Sequence, residues 1–211
     1  MHTLKIVQVG NPTLRARARA VTLEELATPK LQDLIALMRD TMREAPGVGL
    51  AAPQIDESLQ IAVIEDAAPQ RAGLQLTPEQ LAERERRDVP YHVIVNPTLS
   101  FVSSTGAEVP AHDEESGAAP HAIDAVDDYI EAYEGCLSFS GFIMVVPRAH
   151  RVRVSALDER GAPVQIDATG WYARILQHEI DHLHGIVCCD RMDARTLSTQ
   201  DNHARRGRPR K

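Results

Sequence analysis

Long apolar runs are missing from this chain: no stretch approaches about 18 consecutive apolar residues, so no segment reads as a transmembrane helix. Cysteine is scarce, three residues in 211, which excludes a disulfide framework and points to a reducing, intracellular setting. The first ten residues lack the apolar core and cleavage site of a secretion signal, and the expectation is a cytoplasmic protein. Aromatic residues make up only 4% of the chain, yet 43% is hydrophobic, so a sizeable core must be built largely from aliphatic side chains. Lysine and arginine are absent from positions 88–147, a stretch that carries ten acidic residues. The formal charge of −7 is therefore local, and the rest of the chain is net positive. Internal repeats are absent as well.

What is present points to an α+β domain. Leu31, Leu34, Ile35 and Met38 recur at helical spacing and predict a helix over 29–44. Short stretches rich in β-branched residues at 60–64, 91–95, 144–146 and 151–156 predict strands. A second helix follows Thr169, a candidate N-cap, carries Ile175, Ile180 and Leu183 on its apolar face, and stops at Gly185. It contains His-Glu-Ile-Asp-His at 178–182. Residues four apart lie on one helix face, so His178 and His182 can offer two imidazoles to one metal ion. Glu179, beside them, can act on an activated water without ligating the metal. Arg174, one turn earlier on that side, is expected to cover core with its aliphatic stem while its guanidinium reaches solvent.

Two histidines leave a catalytic metal one protein ligand short of the usual three. Cys188 is one candidate: it stands where a His-Glu-x-x-His-x-x-Gly-x-x-His protease signature has its third histidine, although its apolar neighbours also suit a packing role. Cys136, in Glu-Gly-Cys-Leu-Ser at 134–138, is the other, and packing explains its polar-flanked position less well. A third string, Gly-Val-Gly-Leu-Ala-Ala-Pro-Gln at 47–54, lacks the Gly-Lys-Ser/Thr and wide spacing of a phosphate loop. It is not a dinucleotide fingerprint either, and its glycines permit close backbone approach to a ligand.

In their order and spacing these three strings resemble the peptide deformylase family, over roughly residues 4–197. The stretch Thr169, Gly170, Trp171 through Arg174, with Gly141 and Phe142, is similar to the organellar-like branch. The resemblance implies mixed or antiparallel sheets around a central helix bearing the His-Glu-x-x-His motif. It implies that Cys136, His178 and His182 bind the metal and that Glu179 is the general base and acid. Gln54 and the Leu137 backbone N–H would form the oxyanion site, and the backbone at Val48 and Gly49 would align the peptide. The implied substrate is an N-formylmethionyl nascent peptide, deformylated with release of formate. The implied cofactor is one divalent ion: Fe2+ first, with Zn2+, Ni2+ or Co2+ as substitutes, a set that a thiolate ligand favours over Mg2+ or Ca2+. Neither a membrane nor DNA is an expected partner.

Two features depart from that pattern. Residues 103–128, rich in Ala, Ser, Gly, Asp and Glu, read as a flexible acidic insertion into a catalytic domain spanning 1–197. A second insertion-like stretch, 77–88, reads as helical and charged. Residues 198–211 form a C-terminal tail whose last eight positions include five basic residues; it is either a solvated terminus or a contact to ribosomal RNA phosphates. His2, His92, His112, His121, His150 and His203 have no ligand spacing and are expected to be structural or exposed. Competing readings are a zinc endopeptidase using Cys188 as third ligand and a structural zinc module, the latter short of the four protein ligands such sites use.

Overall fold

A computed structural model describes residues 3–45, 47–67, 77–112 and 127–206. Its strands, in chain order, are β1 (Gly49–Ala51), β2 (Ile61–Asp66), β3 (Val89–Val102), β4 (Glu108–Pro110), β5 (Tyr129–Cys136), β6 (Phe139–Ala149), β7 (Arg151–Leu157), β8 (Pro163–Thr169) and β9 (Ser198–Thr199). The helices are α1 (Leu23–Leu26), α2 (Pro29–Glu44), α3 (Pro78–Glu83), α4 (Gly170–Leu183) and α5 (Gln200–Arg206). All strand pairings are antiparallel. One sheet runs β1-β2-β3-β7-β8 with β4 attached to β3; the other runs β5-β6-β9.

The period-2 alternation of β2 and β3 decides which helix covers which face of the larger sheet. Ile61, Val63, Val93 and Val95 pack with Leu31, Ile35, Met38 and Met42 of α2. Their neighbours Ala62, Ile64 and Ile94 pack instead with Ile175, Leu176, Ile180 and Leu183 of α4. Each fully buried aliphatic side chain contributes roughly 1.5–3 kcal/mol, so this two-sided burial fixes the register of the sheet and the position of α4. The α+β architecture with antiparallel sheets around a central helix is as expected, and α2 occupies the expected residues 29–44.

Helix α4 ends where Gly185 adopts φ +75; an added Cβ there would lie 2.6 Å from the Arg15 carbonyl oxygen. At its start, Thr169 holds the N-cap position but its side chain makes no cap bond. Its hydroxyl donates to Glu85 instead, and the Arg84 carbonyl takes the Trp171 N–H. In the smaller sheet the β5–β6 register shifts between Glu134 and Cys136. Glu134 and Cys136 are both buried, with exposed Gly135 between them. The Cys136 thiol and the Glu134 carboxylate therefore share the side of β5 that faces α4.

Several expectations needed correction. The stretch 77–88 is helical only over Pro78–Glu83. Within 103–128, Glu108–Pro110 pairs with β3 as a strand, and Ala111 is buried; positions 113–126 of that insertion lie outside the described residues. Sequence patterning missed β5 and β8, and 144–146 is only the centre of an 11-residue strand. The tail continues as α5 to Arg206, and 207–211 lie outside the described residues.

Candidate metal centre

Strand β5 delivers Cys136 and helix α4 delivers His178 and His182, and their ligand atoms lie within 4.8 Å of one another. The Cys136 Sγ is 3.3 Å from His182 Nε2. His178 Nδ1 is 3.1 Å from Glu134 Oε1, which leaves Nε2 as the nitrogen available to the cluster. The donor set fits a divalent transition ion. Burial, with the positive charge of His178, pushes His182 well below the ordinary histidine range, so it is a neutral imidazole. At His178 burial acts in the same direction, but the hydrogen bond and charge of Glu134 outweigh it and hold its pKa at about 9. Glu134 therefore favours positive charge at His178, which a bound metal ion would supply in place of the Nε2 proton. The hydrogen bond with Cys188 and burial push the Cys136 thiol up, so a bound cation is what would hold it as a thiolate.

Glu179 lies against the backbone of β1. A Cβ added at Gly49 would come within 2.2 Å of Glu179 Oε1, so only glycine admits the carboxylate there. Glu179 is buried and its Oε2 has no hydrogen-bond partner. Burial raises its pKa to about 7, Glu134 adds to the rise, and His178 and Arg148 oppose it. Gln54 sits in the 3-10 turn Ala52–Ile55. Its Oε1 accepts from the Ala51 N–H at 2.8 Å, which fixes the amide and turns Nε2 toward Cys136 Sγ at 3.6 Å and Ser138 Oγ at 3.3 Å. The Leu137 carbonyl accepts from Gln8.

Beneath the ligands lies a buried ionic network that sequence reasoning missed. Glu134 accepts from Arg148 Nη2 at 2.8 Å and from Arg174 Nη1 at 2.8 Å as well as from His178. Asp181, the fourth residue of the histidine motif, accepts from Arg148, from Arg191 through two bonds of 2.8 Å, and faces His112 Nε2 at 3.0 Å. Arg174 is only 4% exposed, contrary to the expected solvent-reaching guanidinium. Its terminal nitrogens bind Glu134 and the carbonyls of Val146 and Ile130, because desolvating a guanidinium is tolerated only with partners on each side. The available signal was three charged residues, Glu134, Arg174 and Asp181, placed among apolar or ligand positions.

The second thiol candidate takes no part in the ligand group. Cys188 is 2% exposed and packs with Cys136, Met144 and Val146 in an apolar cluster, which removes the protease-like ligand set. A cleft of about 740 Å3 opens over the centre, lined among others by Val48, Gly49, Leu137, Trp171 and Ile175. Tyr133 and His203, whose rings are 4.2 Å apart, line it too, so His203 is not merely exposed. His92 meets the Pro90 carbonyl and the Tyr172 hydroxyl, and His112 stacks on His184 at 4.0 Å; both are structural. His2 and His121 lie outside the described residues.

A family model described as polypeptide deformylase matches residues 3–198. Peptide deformylase 3 of Streptomyces avermitilis is 41% identical over 96% of this chain and 77% of its own length. The mitochondrial peptide deformylase of Homo sapiens is 36% identical, over 92% of this chain and 69% of that protein. Among solved structures, a Met-Ala-Ser-bound class I type b peptide deformylase from Acinetobacter baumannii superposes with a TM-score of 0.69 at 28% identity, covering 90% of this chain and 99% of that one.

Proposed function

The chain belongs to the polypeptide deformylase family and removes the formyl group from the N-terminal formylmethionine of nascent polypeptides; we propose that it does so with Cys136, His178 and His182 holding the metal and Glu179 moving the proton. The observation that carries this reading is the convergence of one sulfur and two imidazoles beside a buried carboxylate with an unpartnered oxygen. When bound, the divalent ion supplies Lewis acidity, which eases deprotonation of water and stabilises negative charge on oxygen.

The protein's own groups do the rest. Glu179, its pKa raised to about 7, takes a proton from the attacking water and holds it on its carboxyl. The Gln54 Nε2 amide and the Leu137 N–H donate to the oxyanion that develops from the formyl oxygen. Glu179 then returns the proton to the departing amine as the C–N bond breaks, leaving formate and a free methionyl terminus. The backbone at Val48 and Gly49 aligns the peptide in the cleft. The network of Arg148, Arg174 and Glu134 keeps His178 oriented with Nδ1 engaged.

A thiolate ligand favours iron(II), cobalt, nickel or zinc over magnesium or calcium, and of these the family resemblance points to iron(II) as the working metal. No helix among the described residues is long and apolar enough to cross a membrane. We place the enzyme in the cytoplasm, with the basic residues of 204–211 as a ribosomal RNA contact that weakens as salt rises. The test is anaerobic release of formate from formyl-Met-Ala-Ser, run beside cleavage of an internal peptide bond. Formate release without internal cleavage supports deformylation, and the reverse pattern refutes it. Ribosome co-sedimentation of full-length and 204–211-deleted protein across a salt series tests the tail, which fails as a docking element if the curves coincide.

A further inference from the structure

Residues 84–87 follow α3 and return to the start of β3, and on the way they settle on the first turn of the metal-bearing helix. The Trp171 N–H donates to the Arg84 carbonyl at 3.0 Å. Glu85, at φ 48, packs so closely over Gly170 that an added Cβ there would meet Glu85 Cβ at 2.5 Å. The Arg84 and Arg86 guanidinium carbons lie 5.6 Å and 4.9 Å from the centre of the Trp171 ring. Arg86 is anchored in turn by a two-bond, buried pair with Asp66. Arg84, Arg86 and Trp171 together form one wall of the substrate cleft.

That wall is tied down by a histidine outside the catalytic centre. His150 occupies the turn between β6 and β7. Its Nε2 is 2.7 Å from Glu85 Oε1 and its Nδ1 is 3.0 Å from Asp128 Oδ2. Glu85 Oε2 also accepts from the Thr169 hydroxyl at 2.8 Å, and the His150 carbonyl takes the Gly170 N–H at 3.0 Å. Both ring nitrogens therefore face carboxylate oxygens, which only accept. A neutral imidazole has a single N–H and can satisfy one of them; the doubly bonded form is the imidazolium.

We propose that His150 is a positioning residue, an imidazolium latch that holds residues 84–87 against the start of the metal-bearing helix and so fixes the Trp171 wall, and that the latch loosens as pH rises. The charged groups around it are Glu85 and Asp128 on the ring itself, Arg151 at 3.5 Å from Asp128, and Arg87, whose charge acts on Glu85. Burial pulls the His150 pKa down, but the hydrogen bonds to Asp128 and Glu85 outweigh it and raise the value above the ordinary one. The latch is then fully formed below the unfolded-chain value of about 6.5 and is lost as pH climbs through the raised folded value.

Trp171 is the single tryptophan of the chain, so its fluorescence reports the wall directly. In the metal-loaded enzyme, acrylamide quenching should increase along a titration whose midpoint lies above the ordinary histidine value of about 6.5. His150→Asn should show the high-quenching state at every pH, without that titration. The kinetic arm rests on the deformylase reading. At acid pH the KM of His150→Asn for formyl-Met-Ala-Ser should rise about fivefold, the scale of one ordinary net hydrogen bond, with kcat and metal content nearly unchanged. The wild-type KM should climb toward that of the variant as pH rises. Glu85→Gln, which keeps the size of the side chain, should give the same changes at smaller amplitude and serves if His150→Asn does not fold. A flat wild-type signal, a titration that persists in the variant, or an unaltered KM in both variants would overturn the latch. An intact tryptophan titration in an enzyme that releases no formate would overturn the deformylase reading and leave the latch standing.

Discussion

Some buried polar groups of helix α4 are fully partnered, and others are left bare. Asp181 engages Arg148, Arg191 and His112, and Arg174 engages Glu134 and two backbone carbonyls. Only four buried side-chain polar atoms among the described residues lack a partner, and two of them, Glu179 Oε2 and His182 Nδ1, belong to the histidine motif on this helix. An unsatisfied buried group costs about 1–3 kcal/mol. A fold tolerates that cost where the group has another use, whereas saturated charges are scaffold. The contrast assigns different jobs to two neighbouring carboxylates. Glu134, held well below the ordinary carboxylate range because Arg148 and His178 overcome its burial, is a fixed anion. Glu179, raised to about 7, can exchange a proton.

Substitutions in the two sets of groups should fail in different ways. Cys136→Ala should have the largest effect, abolishing tight metal binding and formate release, as measured by metal analysis and assay of the purified variant. Glu134→Gln strikes the saturated set, leaving Arg148 and Arg174 short of a buried counter-charge. It should cost about 3–5 kcal/mol of stability in denaturant unfolding and weaken metal affinity about 10–100-fold through His178. Gly49→Ala places a methyl where the Glu179 carboxylate lies, so the side chain must swing aside. A kcat loss of about 100-fold with metal and fold retained is expected; a normal kcat would mean that the close approach of Glu179 to β1 is dispensable. Cys188→Ala should be mildest, lowering stability by about 1 kcal/mol and leaving metal content unchanged.

The same contrast separates what the sequence discloses from what it hides. The ligands were legible because helical geometry turns the spacing of His178 and His182 into proximity, and because the resemblance singled out Cys136 over Cys188. Helix α2 was legible from Leu31, Ile35 and Met38, whose period matches the face they bury. Glu134, Arg148, Asp181 and Arg191 were opaque: their partners lie 10 to 69 residues away in sequence, and local pattern carries no trace of such pairings. Arg174 was misjudged because an isolated arginine is usually solvated, and nothing local shows that Glu134 waits beneath it. Strands β5 and β8 escaped notice because exposed and half-buried residues dominate both, which dilutes the apolar alternation.

The most direct test of the division of labour is Glu179→Gln, assayed anaerobically for formate release from formyl-Met-Ala-Ser with metal content and thermal stability measured on the same preparation. Metal and fold should be retained while kcat falls by about 10²–10⁴-fold, because an amide cannot accept the proton of the attacking water. A near-normal kcat with full metal occupancy, or loss of the metal itself, would contradict the assignment of Glu179 as the group that moves the proton.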